Sequence, residues 1–286
     1  MKFCIVLAVL LIIIIARAMY ENAHFVCEYT ELKNKNVKNP FKFVFFADLH
    51  NSSYGKNNCK LLDKIDNYNP DFILIAGDVF VAHKNSYCKK SVEFLNELLK
   101  KYKVIFTFGN HETKLKNEEK YKYTIKQYIE VLKNTENLII LNNDQINLEI
   151  CGNIINFIGY EADLKFYKKF KNNIMDVEEI RSKVGKINND ANLSFLLAHN
   201  PDFFEKYVEY GAEYVFSGHN HGGIVRLPFL GGVVSTGYRP FPKYYGGVYI
   251  KNNTTMYVTR GLGSHTIRFR LFNKPQIHMI SVSKMG

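Results

Sequence analysis

Five short apolar runs, each closed by polar residues, constrain this 286-residue chain more than any other feature. They are FKFVFFAD (41–48), DFILIAGD (71–78), KVIFTFGNH (103–111), LSFLLAHN (193–200) and EYVFSGHNH (213–221). A brief continuous apolar run bounded by turn residues is the pattern of a strand buried on both faces. Between several of them lie apolar residues at helical spacing: Leu61, Leu62 and Ile65, then Val92, Leu95, Leu98 and Leu99, and later Phe203, Phe204, Tyr207 and Val208. Such alternation predicts parallel strands joined by crossover helices. Two stretches read differently. NLEICGNIINFIG (147–159) predicts a hairpin turning at Gly152-Asn153, and GGVYIKNNTTMYVTRG (246–261) one turning near Asn252-Asn253. Two mixed sheets packed face to face, with helices outside, accommodate both signals. With 47% hydrophobic residues, 14% aromatics and no internal repeat, the chain has the material for one large globular domain.

The first residues stand apart from that domain. MKFCIVLAVLLIIIIARA has a basic start at Lys2, an unbroken apolar run from Phe3 to Ala16, and Ala16-Arg17-Ala18 in the small-x-small pattern of a cleavage site. Residues 1–20 are therefore expected to be a signal peptide or an N-terminal membrane anchor, extended past Arg17 by Ala18-Met19-Tyr20. Either sends the rest of the chain to the cell membrane or beyond it. Lys2 precedes the run and Arg17, Lys33 and Lys35 follow it, so charge gives little bias in orientation. Residues 21–40 are polar and aperiodic and end at Pro40; they are expected to form a linker with a short strand, leaving residues 41–286 as the domain.

The five cysteines, Cys4, Cys27, Cys59, Cys88 and Cys151, form no C-x-x-C pair, which argues against a zinc knuckle. An exported location permits disulfides without requiring them. Cys27 lacks the small preceding residues of a bacterial lipoprotein site. The formal charge of +11, from 38 Lys+Arg against 27 Asp+Glu, favours anionic partners such as phosphorylated substrates, acidic headgroups, wall polymers or nucleic acid, beside the plainer reading of a solvated lysine-rich surface.

The polar clusters that close the five runs are Asp48-Leu49-His50, Gly77-Asp78, Gly109-Asn110-His111-Glu112, His199-Asn200 and Gly218-His219-Asn220-His221. Any one alone is a turn or a helix cap. Ligands of open α/β sheets gather beyond the carboxyl ends of the strands, so the five together point at one place. Carboxylate, imidazole and amide oxygen without thiolate suit manganese, iron, zinc or similar ions. Two such ions about 3.5–4 Å apart can grip both sides of a phosphate ester.

On these blocks the sequence resembles the calcineurin-like metallophosphoesterases, whose pattern is D-x-H, G-D, G-N-H-[DE], a lone H and G-H-x-H, from Phe43 to the end of the chain. The resemblance implies a metallo-dependent phosphatase fold, an α/β four-layer α-β-β-α sandwich of two mixed sheets flanked by helices. It implies two divalent metal ions (Mn, Fe or Zn), one held by Asp48, His50, Asp78 and His221, the other by Asp78, Asn110, His199 and His219, with Asp78 bridging. His111 would touch the phosphate and act as general acid, and water or hydroxide on the ions would be the nucleophile. One departure matters: family members often carry an aspartate three residues after the G-D aspartate, where this chain has Val81. His111 must find another partner, Glu112 is open between an orienting and a structural role, and the proton-transfer contribution is expected to be reduced.

GGIVRLPFLGG (222–232), FPKYYGG (241–247) and RGLGSHTIRFRLFNKP (260–275) resemble the bacterial membrane-associated branch. There the apolar loop either touches a lipid-like substrate or covers the sheet. Arg239, Arg260 and His265 are candidates for phosphate contact by charge and by their glycine-rich loops, whereas His24, His83 and His278 lie outside every block and are expected to be structural or surface residues. The expected function is a binuclear phosphomonoesterase or phosphodiesterase at the cell envelope, anchored with its catalytic domain outside or secreted after cleavage, for which a lipid-linked phosphate or diphosphate is one substrate. A non-catalytic metal-binding envelope module would have lost a ligand or His111, and neither is lost. A nuclease of the same fold fits the charge, but no nucleic-acid module accompanies the core, so no nucleic-acid partner is expected.

Overall fold

The computed structural model describes residues 2–82, 88–119, 121, 136–168, 174–188, 190–223, 225–227, 229–235, 240–264 and 269–286. In chain order, α1 (Lys2–Ala23) leads into β1 (Val26–Asn34), β2 (Phe41–Phe46), α2 (Cys59–Tyr68), β3 (Phe72–Ala76), α3 (Lys89–Leu99), β4 (Lys103–Thr107), α4 (Asn110–Asn117) and β5 (Leu138–Ile140). Then follow β6 (Asp144–Ile150), β7 (Asn153–Tyr160), α5 (Val177–Val184), β8 (Leu193–Ala198), α6 (Phe204–Tyr210) and β9 (Tyr214–Ser217). The chain closes with β10 (Val225–Leu227), β11 (Gly231–Val234), β12 (Gly247–Lys251), β13 (Thr254–Val258) and β14 (Gln276–Lys284).

One six-stranded sheet has the order β1-β14-β2-β3-β4-β5, parallel from β2 to β5, with β14 antiparallel to β2. The other has the order β12-β13-β9-β8-β7-β6, parallel through its middle and antiparallel at both edges. Side chains alternate between the faces of each strand, and that alternation builds the layers. Val44, Phe46, Ile73 and Ile75 pack on Leu61 and Ile65 of α2 and on Phe94, Leu95 and Leu98 of α3. Their neighbours Phe43, Phe45, Phe72 and Leu74 point the other way, against Phe157, Phe195, Leu197 and Phe216 of the second sheet. On that sheet's far face, Ile158, Leu196 and Val215 meet Ile180 and Val184 of α5 and Phe204 and Tyr207 of α6. The result is the expected α-β-β-α sandwich. Phe43 sits at its centre, its ring 5.1 Å from Phe72, 5.4 Å from Phe195 and 5.6 Å from Phe216.

The segment 21–40, expected as a linker with a short strand, contributes more than that. Its β1 pairs in parallel along its whole length with β14, from Val26 opposite Gln276 to Asn34 opposite Lys284. An edge strand exposes one flank and reads as polar, and its partner lies at the other end of the chain. The hairpin between β6 and β7 turns at Cys151-Gly152, one residue earlier than expected, because both take left-handed backbone, at φ 49° and 75°. Among the described residues the cysteines form no disulfide. Helix α1 is long and apolar enough to cross a membrane, and nearly all of it is exposed apart from Ala18 and Glu21.

Candidate metal centre

All five clusters emerge at the carboxyl ends of β2, β3, β4, β8 and β9, and backbone hydrogen bonds lash the loops together. The N–H of Asp48 donates to Gly77 O at 3.0 Å, that of His50 to Asp78 O at 3.1 Å, and that of Gly218 to His199 O at 3.0 Å. Asp48, His50, Asp78, His219 and His221 all have left-handed backbone, with φ of 55°, 45°, 55°, 69° and 50°. Such a conformation costs an L-residue roughly 1–3 kcal/mol and persists where the surroundings over-determine it. Here it breaks the strand alternation and turns the side chains into one cleft. Glycine permits the close approach: a Cβ on Gly109 would lie 2.3 Å from Asp78 Oδ1, and one on Gly218 2.5 Å from Asp48 Oδ2.

Asp78 Oδ2 lies 3.2 Å from His199 Nε2, 3.8 Å from His50 Nε2 and 4.0 Å from His111 Nε2. Asp48 Oδ1 lies 3.5 Å from His221 Nε2 and 3.8 Å from His50 Nε2, and the Asp48 carboxylate accepts the N–H of His219 at 2.9 Å. The ligand atoms of Asp48, His50 and His221 fall within 4.8 Å of one another, as do those of Asp78, His199 and His219 and those of His50, Asp78 and His111. The third set brings His111, expected to touch the phosphate and not a metal, within the same reach. Nδ1 of His199 meets Ala76 O at 2.6 Å and Nδ1 of His221 meets Gly263 O at 3.0 Å. A carbonyl accepts only, so each Nδ1 carries a hydrogen and each Nε2 is turned to the cleft, the orientation in which a neutral imidazole binds a metal. Asn110 Oδ1 is buried without a hydrogen bond among the described residues. A stranded acceptor costs about 1–3 kcal/mol, and a cation at this spot would offset it. The residues present fit divalent ions.

Charge tells the same story. Burial, reinforced by the charge of Asp78, raises the Asp48 carboxyl to about 7 in the metal-free site. Burial acts against Asp78 as well, but His199 above all outweighs it and holds that carboxyl well below its ordinary range. Burial would strip His199 of its proton, yet Asp78 and Asp48 beside it raise it to about 10. Without metal, a proton on His199 does part of a cation's work between two carboxylates.

His111 finds its partner in the backbone: the Ala82 N–H donates to Nδ1 at 2.9 Å, while the N–H of His111 donates to Asp78 Oδ1 at 2.8 Å. The Glu112 carboxylate accepts from Asp78 N at 2.8 Å, Phe80 N at 2.9 Å and Gly109 N at 3.0 Å, clamping the β3 and β4 loops together. Burial, with Asp78 close by, raises it to about 8. Arg260 turns its guanidinium toward Gln276 and Glu28 and packs its stem behind Gly222. Arg239, His265 and His83 lie outside the described residues. Two residues escaped sequence reasoning. The Tyr167 ring stands 5.0 Å from His219 and 6.2 Å from His199, walling the second ligand set, and Arg270 is buried behind His221. Tyr167 sits in no recognisable block, and Arg270, though inside the 260–275 stretch, was marked there only by its basic sign.

Comparison with known proteins gives the chain its relatives. The chain is 26% identical over 247 residues to the uncharacterized metallophosphoesterase YkuE of Bacillus subtilis, covering 85% of this chain and 79% of that one. It is 27% identical over 255 residues to the phosphodiesterase YaeI of Escherichia coli, covering 85% and 82%. Among solved structures, a 5'-nucleotidase precursor from Thermus thermophilus superposes with a TM-score of 0.46 and 17% identity, over 78% of this chain and 49% of its own length. The model of the calcineurin-like phosphoesterase family matches residues 41–223, the stretch that holds all five blocks, and the chain belongs to that family of phosphoric ester hydrolases.

Proposed function

We propose that this chain is a membrane-anchored, binuclear metal-dependent phosphoesterase in which Asp78 lies between two ligand sets, Asp48, His50 and His221 on one side and Asn110, His199 and His219 on the other. The observation that carries the reading is the meeting of the two sets at Asp78, which lies within 4.0 Å of His50, His111 and His199, while Asn110 Oδ1 has no hydrogen bond among the described residues. Divalent ions bound there supply a nucleophile at neutral pH and neutralise charge on the phosphoryl oxygens. Asp48 is held for its ion by the N–H of His219. His111 presents Nε2–H to the leaving oxygen. Because the Ala82 N–H occupies Nδ1, a doubly protonated ring would set two N–H groups against each other. His111 therefore serves by hydrogen bonding to the leaving oxygen more than by delivering a whole proton, as the missing carboxylate at Val81 suggests.

The exposed apolar part of α1, Phe3 to Ala16, reaches about 21 Å at 1.5 Å each and so enters most of a hydrocarbon core of about 30 Å, while its last turn stays with the catalytic domain. Phe229, Leu230 and Phe241, in loops that follow the His221 block, are exposed. Both features support a catalytic domain held at a membrane surface and an amphiphilic, lipid-linked phosphoester as substrate.

The test is hydrolysis of p-nitrophenyl phosphate, bis-p-nitrophenyl phosphate and an alkyl phosphate by the full chain, stripped of metal and refilled with manganese, beside His111→Ala. Turnover should require metal, and the variant should lose about 100-fold, more on the alkyl ester than on the p-nitrophenyl esters. Equal loss on good and poor leaving groups would remove His111 from the leaving-group side.

A further inference from the structure

The last turn of α1 is built into the catalytic domain. Glu21 is 1% exposed, and burying a carboxylate is unfavourable unless its oxygens are fully engaged. Its Oε1 accepts from Arg17 Nε at 2.7 Å and its Oε2 from the backbone N–H of Asn273 at 2.7 Å. Ser264 Oγ donates to Asn22 Oδ1 at 3.1 Å, and the Lys274 ammonium lies 5.3 Å from the Tyr20 ring centre. Asn273 then reaches the metal loop, its Nδ2 donating to the carbonyls of His221 at 2.7 Å and Gly223 at 3.0 Å.

That loop needs outside support. His221, Gly222 and Gly223 are successive left-handed residues, at φ 50°, 75° and 89°, and a segment so wound holds only where its surroundings fix it. The packing leaves no slack, since a Cβ on Gly222 would fall 2.2 Å from Asn273 Oδ1. Arg270 braces the other side. It donates to Asn273 O at 3.3 Å and to Gly263 O at 2.5 Å, the carbonyl that also takes the His221 Nδ1–H.

We infer that Glu21 and Asn273 are positioning residues for His221, that the last turn of the membrane helix is thereby part of the metal centre, and that the working chain keeps α1. The inference rests on the reading of His221 as a metal ligand. Cleavage after Ala18 would remove Arg17, the side-chain partner of Glu21, and unravel the turn that presents the carboxylate.

The experiment titrates manganese into the metal-free full chain in nanodiscs, following free ion by electron paramagnetic resonance and heat by calorimetry, for wild type, Glu21→Ala, Glu21→Gln and Asn273→Ala. Glu21→Ala and Asn273→Ala should weaken one of the two manganese ions about 10-fold or more and spare the other. Glu21→Gln, which keeps an oxygen for the Asn273 N–H, should recover most of that affinity. Melting of the metal-free chains is recorded alongside. A lower melting temperature with both manganese affinities unchanged would overturn the inference, as would a mature chain beginning at Met19 that binds both ions as tightly as the uncut one. A wild-type chain binding fewer than two ions would instead fell the binuclear reading on which it stands.

Discussion

His199, at the end of β8, and His278, in the middle of β14, are equally sealed from solvent, and the protein treats them in opposite ways. His199 sits between Asp78 and Asp48 and is raised to about 10 against the pull of burial. His278 lies on the face of its sheet that meets the other sheet, stacked on Phe45 with ring centres 5.4 Å apart, and among the described residues neither ring nitrogen has a hydrogen-bond partner. Burial lowers it to about 3, with the charge of Arg260 adding to the effect. Burial alone strips a histidine of its proton; paired carboxylates beside one hold the proton on.

The hardest blow to this contrast is Asp78→Asn. Removing the shared charge should abolish binding of at least one ion and lower kcat by about a thousandfold. In the metal-free variant, His199 should fall back toward ordinary histidine values. Metal analysis, kinetics and a proton NMR titration of the histidine C2–H signals measure the three effects, and a His199 resonance that still titrates near pH 10 would show that Asp78 is not its main partner.

Metal uptake sharpens the same point. A ligating imidazole must be neutral and a ligating carboxylate ionised, so binding must expel the proton that His199 holds up to about pH 10 and, below about pH 7, the one on Asp48. Manganese affinity should therefore rise as pH rises from 6 to 9, about tenfold per unit for each proton released. Calorimetry in buffers of different ionisation heat counts the protons directly. An affinity flat with pH, with no proton released, would mean that His199 is already neutral in the empty site.

The contrast also explains what the sequence could and could not tell. The parallel strands were legible because strands buried on both faces leave unbroken apolar runs, and the cleft was legible because each run ends in its ligand block. His278 was rightly kept out of the site because no carboxylate block surrounds it in sequence. Strand β1 was read mainly as linker, since its partner lies some 250 residues away and an edge strand carries polar residues outward. The Glu21–Asn273 contact is hidden for the same reason. The left-handed backbone of Asp48, Asp78 and His221 has no local signature, because the closure of neighbouring loops imposes it. Val81 announced that His111 lacked a carboxylate, but only the folded loop could show the Ala82 N–H in its place.

The smallest effect tests the inert half of the comparison. An unfolded histidine titrates near 6.5, whereas His278 in the fold is lowered to about 3. Between those values the unfolded chain binds the proton and the native chain does not, so His278 leaves stability unchanged above about pH 6.5 and penalises the native state progressively as pH falls toward about 3. At about 1.4 kcal/mol per unit, the penalty at pH 5 is about 2 kcal/mol, or roughly 4–8 °C in melting temperature for a domain of this size. His278→Leu, similar in volume and unable to ionise, should melt close to wild type at pH 7 and above it at pH 5, both measured with saturating manganese so that the His199 proton plays no part. Parallel acid limbs in the two proteins would mean that a charged His278 finds a partner in the core, and burial without carboxylates would no longer separate the structural histidine from the ligand.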